Sequence, residues 1–429
     1  MEVTLLLIVF ISLLLLRVPI AFAIGISALV LIGIKLPSIE ALTTVAQRMA
    51  TGLNSFTLLA IPLFVIAGEI MNRGGIAKRL INFAKSIFGF FPGGMAAINI
   101  LGNMLFGAIS GSAAASASAI GGIMKKPLED TGYSKEFGAA VNITSSTTGL
   151  IIPPSNTLII YSLASGGTSI AALFLAGYIP GILIGLVLVM FAVIYAKRNK
   201  IKTDTKASFK TFVTSFIDAI PSFSILVIVI GGIVGGFFTA TESSAIAVAY
   251  ALLISVFLYK EISFKDLPEI LLASMKTTGI VLLLVSCSMA LSWALSYNNI
   301  PQDMAEALLS ISDNKYVVLI LINILLLFIG IFMDITPAVL IFTPIFLPAM
   351  EKFGVSPVHF GIIMVLNLCI GLCTPPVGSL LFVGCSVAEI KIQSVVKTLI
   401  PFFLGMIAVL LAVTFIPALS LWLPELFGF

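Results

Sequence analysis

Asn142-Ile143-Thr144-Ser145-Ser146-Thr147-Thr148 puts six hydroxyl or amide side chains into seven residues of an otherwise apolar stretch, and Gly149-Leu150-Ile151-Ile152-Pro153-Pro154 follows at once. A hard monovalent cation such as sodium prefers several neutral oxygens, and an unwound helix supplies them from its carbonyls. Ser and Thr also bond back to their own helix, so part of the run is structural. The break returns 222 residues later as Gly371-Leu372-Cys373-Thr374-Pro375-Pro376. A helix broken by Gly and paired Pro at membrane depth survives only where its freed backbone groups face protein or a polar cavity. Two such breaks at matching places in two halves point to the binding site of a secondary transporter. After the first prolines, Ser155-Asn156-Thr157 opens a half-helix whose N-terminal N–H groups suit an anion.

Two further candidates each precede one of the breaks. Ser110-Gly111-Ser112, followed by an Ala/Ser run to Ala119, has almost no side-chain bulk. It serves either close helix packing or the display of bare carbonyls, hydroxyls and a helix N-terminus to an ion or carboxylate. Asp334 is the only charged residue between Lys315 and Glu351. An intramembrane carboxylate ligates a cation, carries a proton or caps a half-helix; capping combined with shaping the site fits best, because a bare carboxylate repels an anionic substrate. His359 has no partner in the sequence and receives no role. Cys369 and Cys373 are one helical turn apart without further ligands, which favours buried small hydrophobes over zinc.

The elements that must hold these residues follow from composition. Hydrophobic residues make up 59% of the 429 and charged residues 10%. Mean hydropathy is +1.19, so the expected class is an all-α polytopic membrane protein. The net charge of +4 is spread over loops, as in lipid-facing loops rather than a nucleic-acid surface. One His and no nucleophile–base motif argue against an enzyme. The apolar start from Val3 lacks a basic leader and is kept as a span.

Runs of about 20 apolar residues predict spans near 3–16, 18–34, 55–72, 135–163, 170–196, 214–235, 241–259, 277–297, 357–386 and 398–424. The positive-inside rule puts the Lys197–Lys210 loop in the cytoplasm and leaves only Lys35, Arg48, Lys315 and Lys352 of the 23 Lys and Arg outside. Segments 87–124 and 316–350 are too long for one span and too short for two. They read as re-entrant hairpins broken at Ser110-Gly111-Ser112 and at Met333-Asp334-Ile335-Thr336-Pro337. Five crossings separate the two broken helices, an odd number that turns the second repeat upside down. Glu40–Gly52, Ile76–Ile87, Lys265–Met275 and Pro301–Ser312 are amphipathic, either arms bracing a scaffold or plain connections. The expected division is scaffold and arms at 1–84, transport elements at 85–196, a cytoplasmic loop at 197–213, a second scaffold at 214–313 and second transport elements at 314–429.

The tip Gly107-Ala108-Ile109-Ser110-Gly111-Ser112 and the paired Gly-Leu-x-x-Pro-Pro breaks resemble the large membrane subunit of tripartite ATP-independent periplasmic (TRAP) transporters. So do Pro62-Leu63-Phe64-Val65-Ile66-Ala67-Gly68, Met333-Asp334-Ile335-Thr336-Pro337 and Phe238-Thr239-Ala240-Thr241-Glu242. The resemblance implies a multi-pass protein of a bacterial or archaeal inner membrane, working by sodium-coupled alternating access. It implies a small four-helix membrane subunit and a periplasmic substrate-binding protein as partners, and a carboxylate such as a C4-dicarboxylate or a sialic acid as substrate. Carried onto this chain, one sodium site would use Ser110, Asn142, Ser145 and Gly149, and the other Gly330, Asp334, Gly371 and Thr374. Substrate would lie among Ser112, Ser145, Pro154, Ser155, Asn156 and Asp334. Val377-Gly378-Ser379 stands where the first break has Ser155-Asn156-Thr157, so the half-sites are unequal and the substrate is expected nearer the first. A stand-alone sodium/dicarboxylate symporter is the nearest rival, and an ion channel a more distant one.

Overall fold

A computed structural model describes residues 2–89, 93–201 and 209–429. Residues 202–208 of the expected 197–213 loop, with Lys202 and Lys206, lie outside the described residues, as does 90–92 near the start of the first hairpin.

The described chain is helical throughout. It begins with α1 (Glu2–Leu15), α2 (Ile20–Gly33), α3 (Ser38–Gly52), α4 (Ala60–Arg73) and α5 (Ile76–Phe88). The first hairpin is α6 (Gly94–Ser110) and α7 (Ala113–Asp130); the first broken helix is α8 (Lys135–Ser146) and α9 (Asn156–Ala164). Then come α10 (Ile170–Arg198), α11 (Phe209–Val234), α12 (Ala240–Leu252, extended by a π-helical turn to Leu258), α13 (Leu267–Tyr297) and α14 (Ile300–Ile311). The second hairpin is α15 (Lys315–Phe332) and α16 (Ile335–Lys352); the second broken helix is α17 (Pro357–Leu372) and α18 (Ser379–Ala388). α19 (Ile392–Phe415) and α20 (Ala418–Leu426) complete the chain. Eight helices among the described residues are long and apolar enough to cross a membrane.

Both hairpins break at the expected residues. Gly111 takes φ 62° at the first tip, a left-handed conformation that favours glycine. Three boundaries differ from expectation. Lys265–Met275 is no separate arm: from Pro268 at its first turn, α13 meets no breaker until Asn298 and Asn299. α7 runs on through Pro127 to Asp130, beyond the expected end at 124. The expected last span ends at Phe415, where Pro417 starts α20. The amphipathic segments at α3, α5 and α14 do form helices.

Packing is reciprocal between the halves. α4 lies against α12 as α2 lies against α13. The second helix of each hairpin packs on the second half of the opposite broken helix, α7 on α18 and α16 on α9. Within each half the first hairpin helix lies along the first half of its own broken helix, α6 on α8 and α15 on α17. Glycine makes the closest of these approaches. A Cβ on Gly107 would lie 2.7 Å from the Gly149 Cα, and one on Gly330 would lie 3.0 Å from the Gly371 Cα. Large apolar side chains such as Phe328, Leu186 and Val227 stay exposed on the perimeter, where hydrocarbon is the solvent.

Candidate functional site

Four half-helices, α7, α9, α16 and α18, begin at the two tips and the two breaks. Ser112 Oγ accepts from Ala115 N at 3.3 Å and Ser155 Oγ from Leu158 N at 3.3 Å. Asp334 Oδ1 accepts from Ile335 N at 2.9 Å, so the carboxylate caps α16. Gly378 precedes α18 without a side-chain cap, and its N–H donates to Ile331 O at 3.2 Å, tying the second break to the second hairpin. The starts of all four half-helices line one cavity of about 390 Å³, through Ser112, Asn156, Asp334 and Ser379. Each N-terminus carries unpaired N–H groups and the positive end of a helix dipole. The cavity therefore offers anion-binding groups on several sides. Val65, Gly68 and Glu69 of α4 and Thr277 and Val281 of α13 form the remaining wall.

The residues singled out for substrate divide in two. Ser112, Asn156 and Asp334 line the cavity. Ser145, Pro154 and Ser155 are buried behind it; Ser155 donates to the Leu150 carbonyl and so closes the first break on itself. Asn156 Oδ1 is buried without a hydrogen-bond partner. Gly111 lets the first tip approach Asn156, for a Cβ there would meet Asn156 Nδ2 at 2.9 Å.

The hydroxyl run before the first break is largely self-satisfied. Thr144, Ser146, Thr147 and Thr148 donate to carbonyls three or four residues earlier, at 2.6 to 2.9 Å. These bonds let polar side chains stay dry within a buried helix. Ser145 also donates to Val141 O, at 2.6 Å, and together with Asn142 it meets Asn103, a residue not singled out from the sequence. Asn103 Nδ2 lies 3.0 Å from Asn142 Oδ1, 2.8 Å from Ser145 Oγ and 2.8 Å from Asn99 Oδ1. Ser116 Oγ donates to Asn103 Oδ1 at 2.7 Å, so one amide joins α6, α7 and α8. The clue in the sequence was Asn99 and Asn103, one turn apart in a segment without charge. Ser110 sits at the tip beyond the Gly107–Gly149 contact, its Oγ 3.4 Å from Ser112 N.

The second half repeats this plan with other residues. Asn367 Nδ2 donates to Asn323 Oδ1 at 2.8 Å, and Asn323 Nδ2 to Thr414 Oγ1 at 3.0 Å. Beyond them Gly330 meets Gly371, and Thr374 Oγ1 donates to Ile370 O at 2.8 Å. Of the first set, Asn142 and Ser145 meet through Asn103 while Ser110 lines the cavity at the tip; of the second, Gly330 meets Gly371 and Asp334 lines the cavity. No cluster of three or more His, Cys, Asp or Glu occurs among the described residues. The oxygens available are amide, hydroxyl and backbone, with the single carboxylate of Asp334 in the second set. Cys369 and Cys373 donate to carbonyls, as buried thiols do.

The family model "Tripartite ATP-independent periplasmic transporter, DctM component" matches residues 7–419. The chain is 56% identical over 411 residues to the uncharacterized protein YgiK of Salmonella typhimurium, covering 96% of this chain and 94% of that one. It is 39% identical over 382 residues to the sialic acid TRAP transporter large permease protein SiaM of Vibrio cholerae, covering 89% of each. Among solved structures, the YdaH transporter of Alcanivorax borkumensis has the same fold. It superposes with a TM-score of 0.67 at 13% identity, over 90% of this chain and 89% of that one. The chain thus belongs to the DctM family, the large permease subunits of tripartite ATP-independent periplasmic transporters, and is a multi-pass protein of the inner membrane.

Proposed function

We propose that this subunit imports a small organic acid by sodium-coupled alternating access, receiving it from a periplasmic binding protein and working beside a small four-helix membrane subunit. The observation that carries the reading is the convergence of four half-helix starts on one cavity. Helix N-termini hold a carboxylate through N–H groups without a fixed cation, so the site can release what it binds. Sodium would lie at the two sets of neutral oxygens, Ser110, Asn142, Ser145 and Gly149 in one half and Gly330, Asp334, Gly371 and Thr374 in the other. Hydroxyl, amide and carbonyl oxygens suit a hard monovalent cation, and the two close glycine contacts keep side chains out of those places. A cation beside each tip would offset the charge of an arriving anion and so couple the two. The reciprocal packing of hairpins on opposite broken helices supports two inverted halves rocking about a shared site.

The test is uptake of labelled carboxylates, a sialic acid and a C4-dicarboxylate first, into proteoliposomes holding this chain and its small subunit. An inward sodium gradient is imposed, with and without the binding protein. Uptake that needs both is expected. Sodium-driven uptake without the binding protein would make this a stand-alone symporter, and uptake indifferent to sodium would remove the coupling.

A further inference from the structure

The cavity has carboxylates on its wall and no cationic side chain. Glu69 and Asp334 line it, and no Lys, Arg or His does. Asp334 is accounted for: its Oδ1 accepts from Ile335 N, at the positive end of α16. Glu69 lies on α4. Its partner is Arg73, one turn further along α4, whose Nε is 3.1 Å from Glu69 Oε1. The same guanidinium reaches α13, where its Nη1 is 2.9 Å from Glu269 Oε1.

We infer that Arg73 sets the charge selectivity of the cavity. It holds the Glu69 charge in an ion pair that it shares with Glu269, so that the wall formed by α4 presents a weaker negative potential to a substrate. Arg73 does not line the cavity, so it acts through Glu69 as a positioning residue. Its fork geometry suits the task, because it binds Glu69 and Glu269 at once and so stays turned along the helix pair. With Arg73 removed, Glu69 becomes a bare carboxylate beside the half-helix starts. A unit charge about 8 Å away at an effective dielectric near 20 changes the local concentration of a monovalent ion by roughly tenfold or more. The inference deepens the carboxylate reading above and rests on it for its purpose, though its test does not.

The test reads the potential directly, with no substrate. Thr277, exposed on the cavity wall, is replaced by cysteine (Thr277→Cys). At low salt its reaction rates with a cationic and an anionic methanethiosulfonate are compared; the four native cysteines are buried, and their background is subtracted using the parent protein. Arg73→Gln is expected to raise the cationic-to-anionic ratio by about tenfold. Glu69→Gln should lower it several-fold, and Glu69→Gln with Arg73→Gln should return it near the parent value. An unchanged ratio in Arg73→Gln, or a double variant as shifted as Arg73→Gln, overturns the inference, since a purely structural clamp would not be rescued by a second neutral residue. Should Arg73→Gln fail to fold, Glu69→Gln keeps the Arg73–Glu269 bridge and decides alone: no fall in the ratio overturns the inference. A parent protein that takes up no carboxylate would sink the transport reading while leaving this ratio to report on Arg73.

Discussion

Cys369 Sγ donates to the carbonyl of Thr147 across 3.7 Å, and the two residues occupy the same position in the two copies of the repeat, 222 residues apart. The contact holds the end of α17 against the turn that follows α8. One turn on, Cys373 Sγ donates to Ile143 O at 3.5 Å. The four thiols are buried. Each break is thus anchored from behind by the other copy, while its front opens on the cavity.

The Gly107–Gly149 and Gly330–Gly371 contacts admit no side chain. Gly149→Ala and Gly371→Ala are each expected to cost about 1–3 kcal/mol by overpacking and to abolish uptake. Thermal unfolding in detergent with an uptake assay checks both. Gly122, with nothing within 4 Å of its Cβ position, is the control, and Gly122→Ala should behave as wild type. Wild-type uptake by Gly149→Ala would mean that the hairpin need not lie so close to the break.

Asn103 is fully buried and its amide serves three helices. Asn103→Leu keeps the branched shape but strands Asn142 Oδ1 and Asn99 Oδ1, at about 1–3 kcal/mol for each polar group left without a partner, while Ser145 and Ser116 keep their bonds to Val141 O and Asn103 O. A large fall in melting temperature is expected, and Asn103→Asp should fare little better because it replaces a donor with a buried charge. If Asn103→Leu melts like wild type, the network is ornamental to stability.

The sequence made the breaks and hairpin tips legible because Gly and paired Pro recur in the same pattern 222 residues apart, and because a lone Asp inside an apolar run is costly unless the fold needs it. The cap formed by Asp334 could be foreseen for that reason. Asn103 could not, since only the fold brings it against Asn142 and Ser145, 39 and 42 residues away. Glu69 was equally hidden, since only the tertiary structure turns it onto the cavity. The hydroxyl run is largely structural, as the back-bonding of Ser and Thr leads one to expect, but which members bond within the helix shows only in the fold.

Asp334 separates capping from charge. Asp334→Asn retains an oxygen that can accept from Ile335 N, so it should fold within about 0.5 kcal/mol of wild type, whereas Asp334→Ala should lose about 1 kcal/mol. If the carboxylate also helps hold a cation, Asp334→Asn will need more sodium for half-maximal uptake at unchanged melting temperature. An unchanged sodium requirement would leave Asp334 as a cap only.

Lys125 Nζ lies 3.0 Å from Glu389 Oε1 and ties the first hairpin to the loop after the second broken helix. The hydrogen bond and the charge of Lys125 hold the Glu389 carboxyl below its ordinary value. A depressed folded value means that the tie is present above the unfolded carboxyl's titration, near 4.3, and is lost as pH falls through the folded value. The pair is exposed, so it should also weaken with added salt. Hydrogen exchange of the Ser386–Lys391 segment, corrected for intrinsic rate, should be flat from pH 7 to 5 and rise below about 4. Glu389→Gln should exchange fast at pH 7 with no further dependence on pH or salt. Equal protection in wild type and Glu389→Gln at pH 7 would show that the backbone turn at Glu389, with φ 57°, holds the junction without the ion pair.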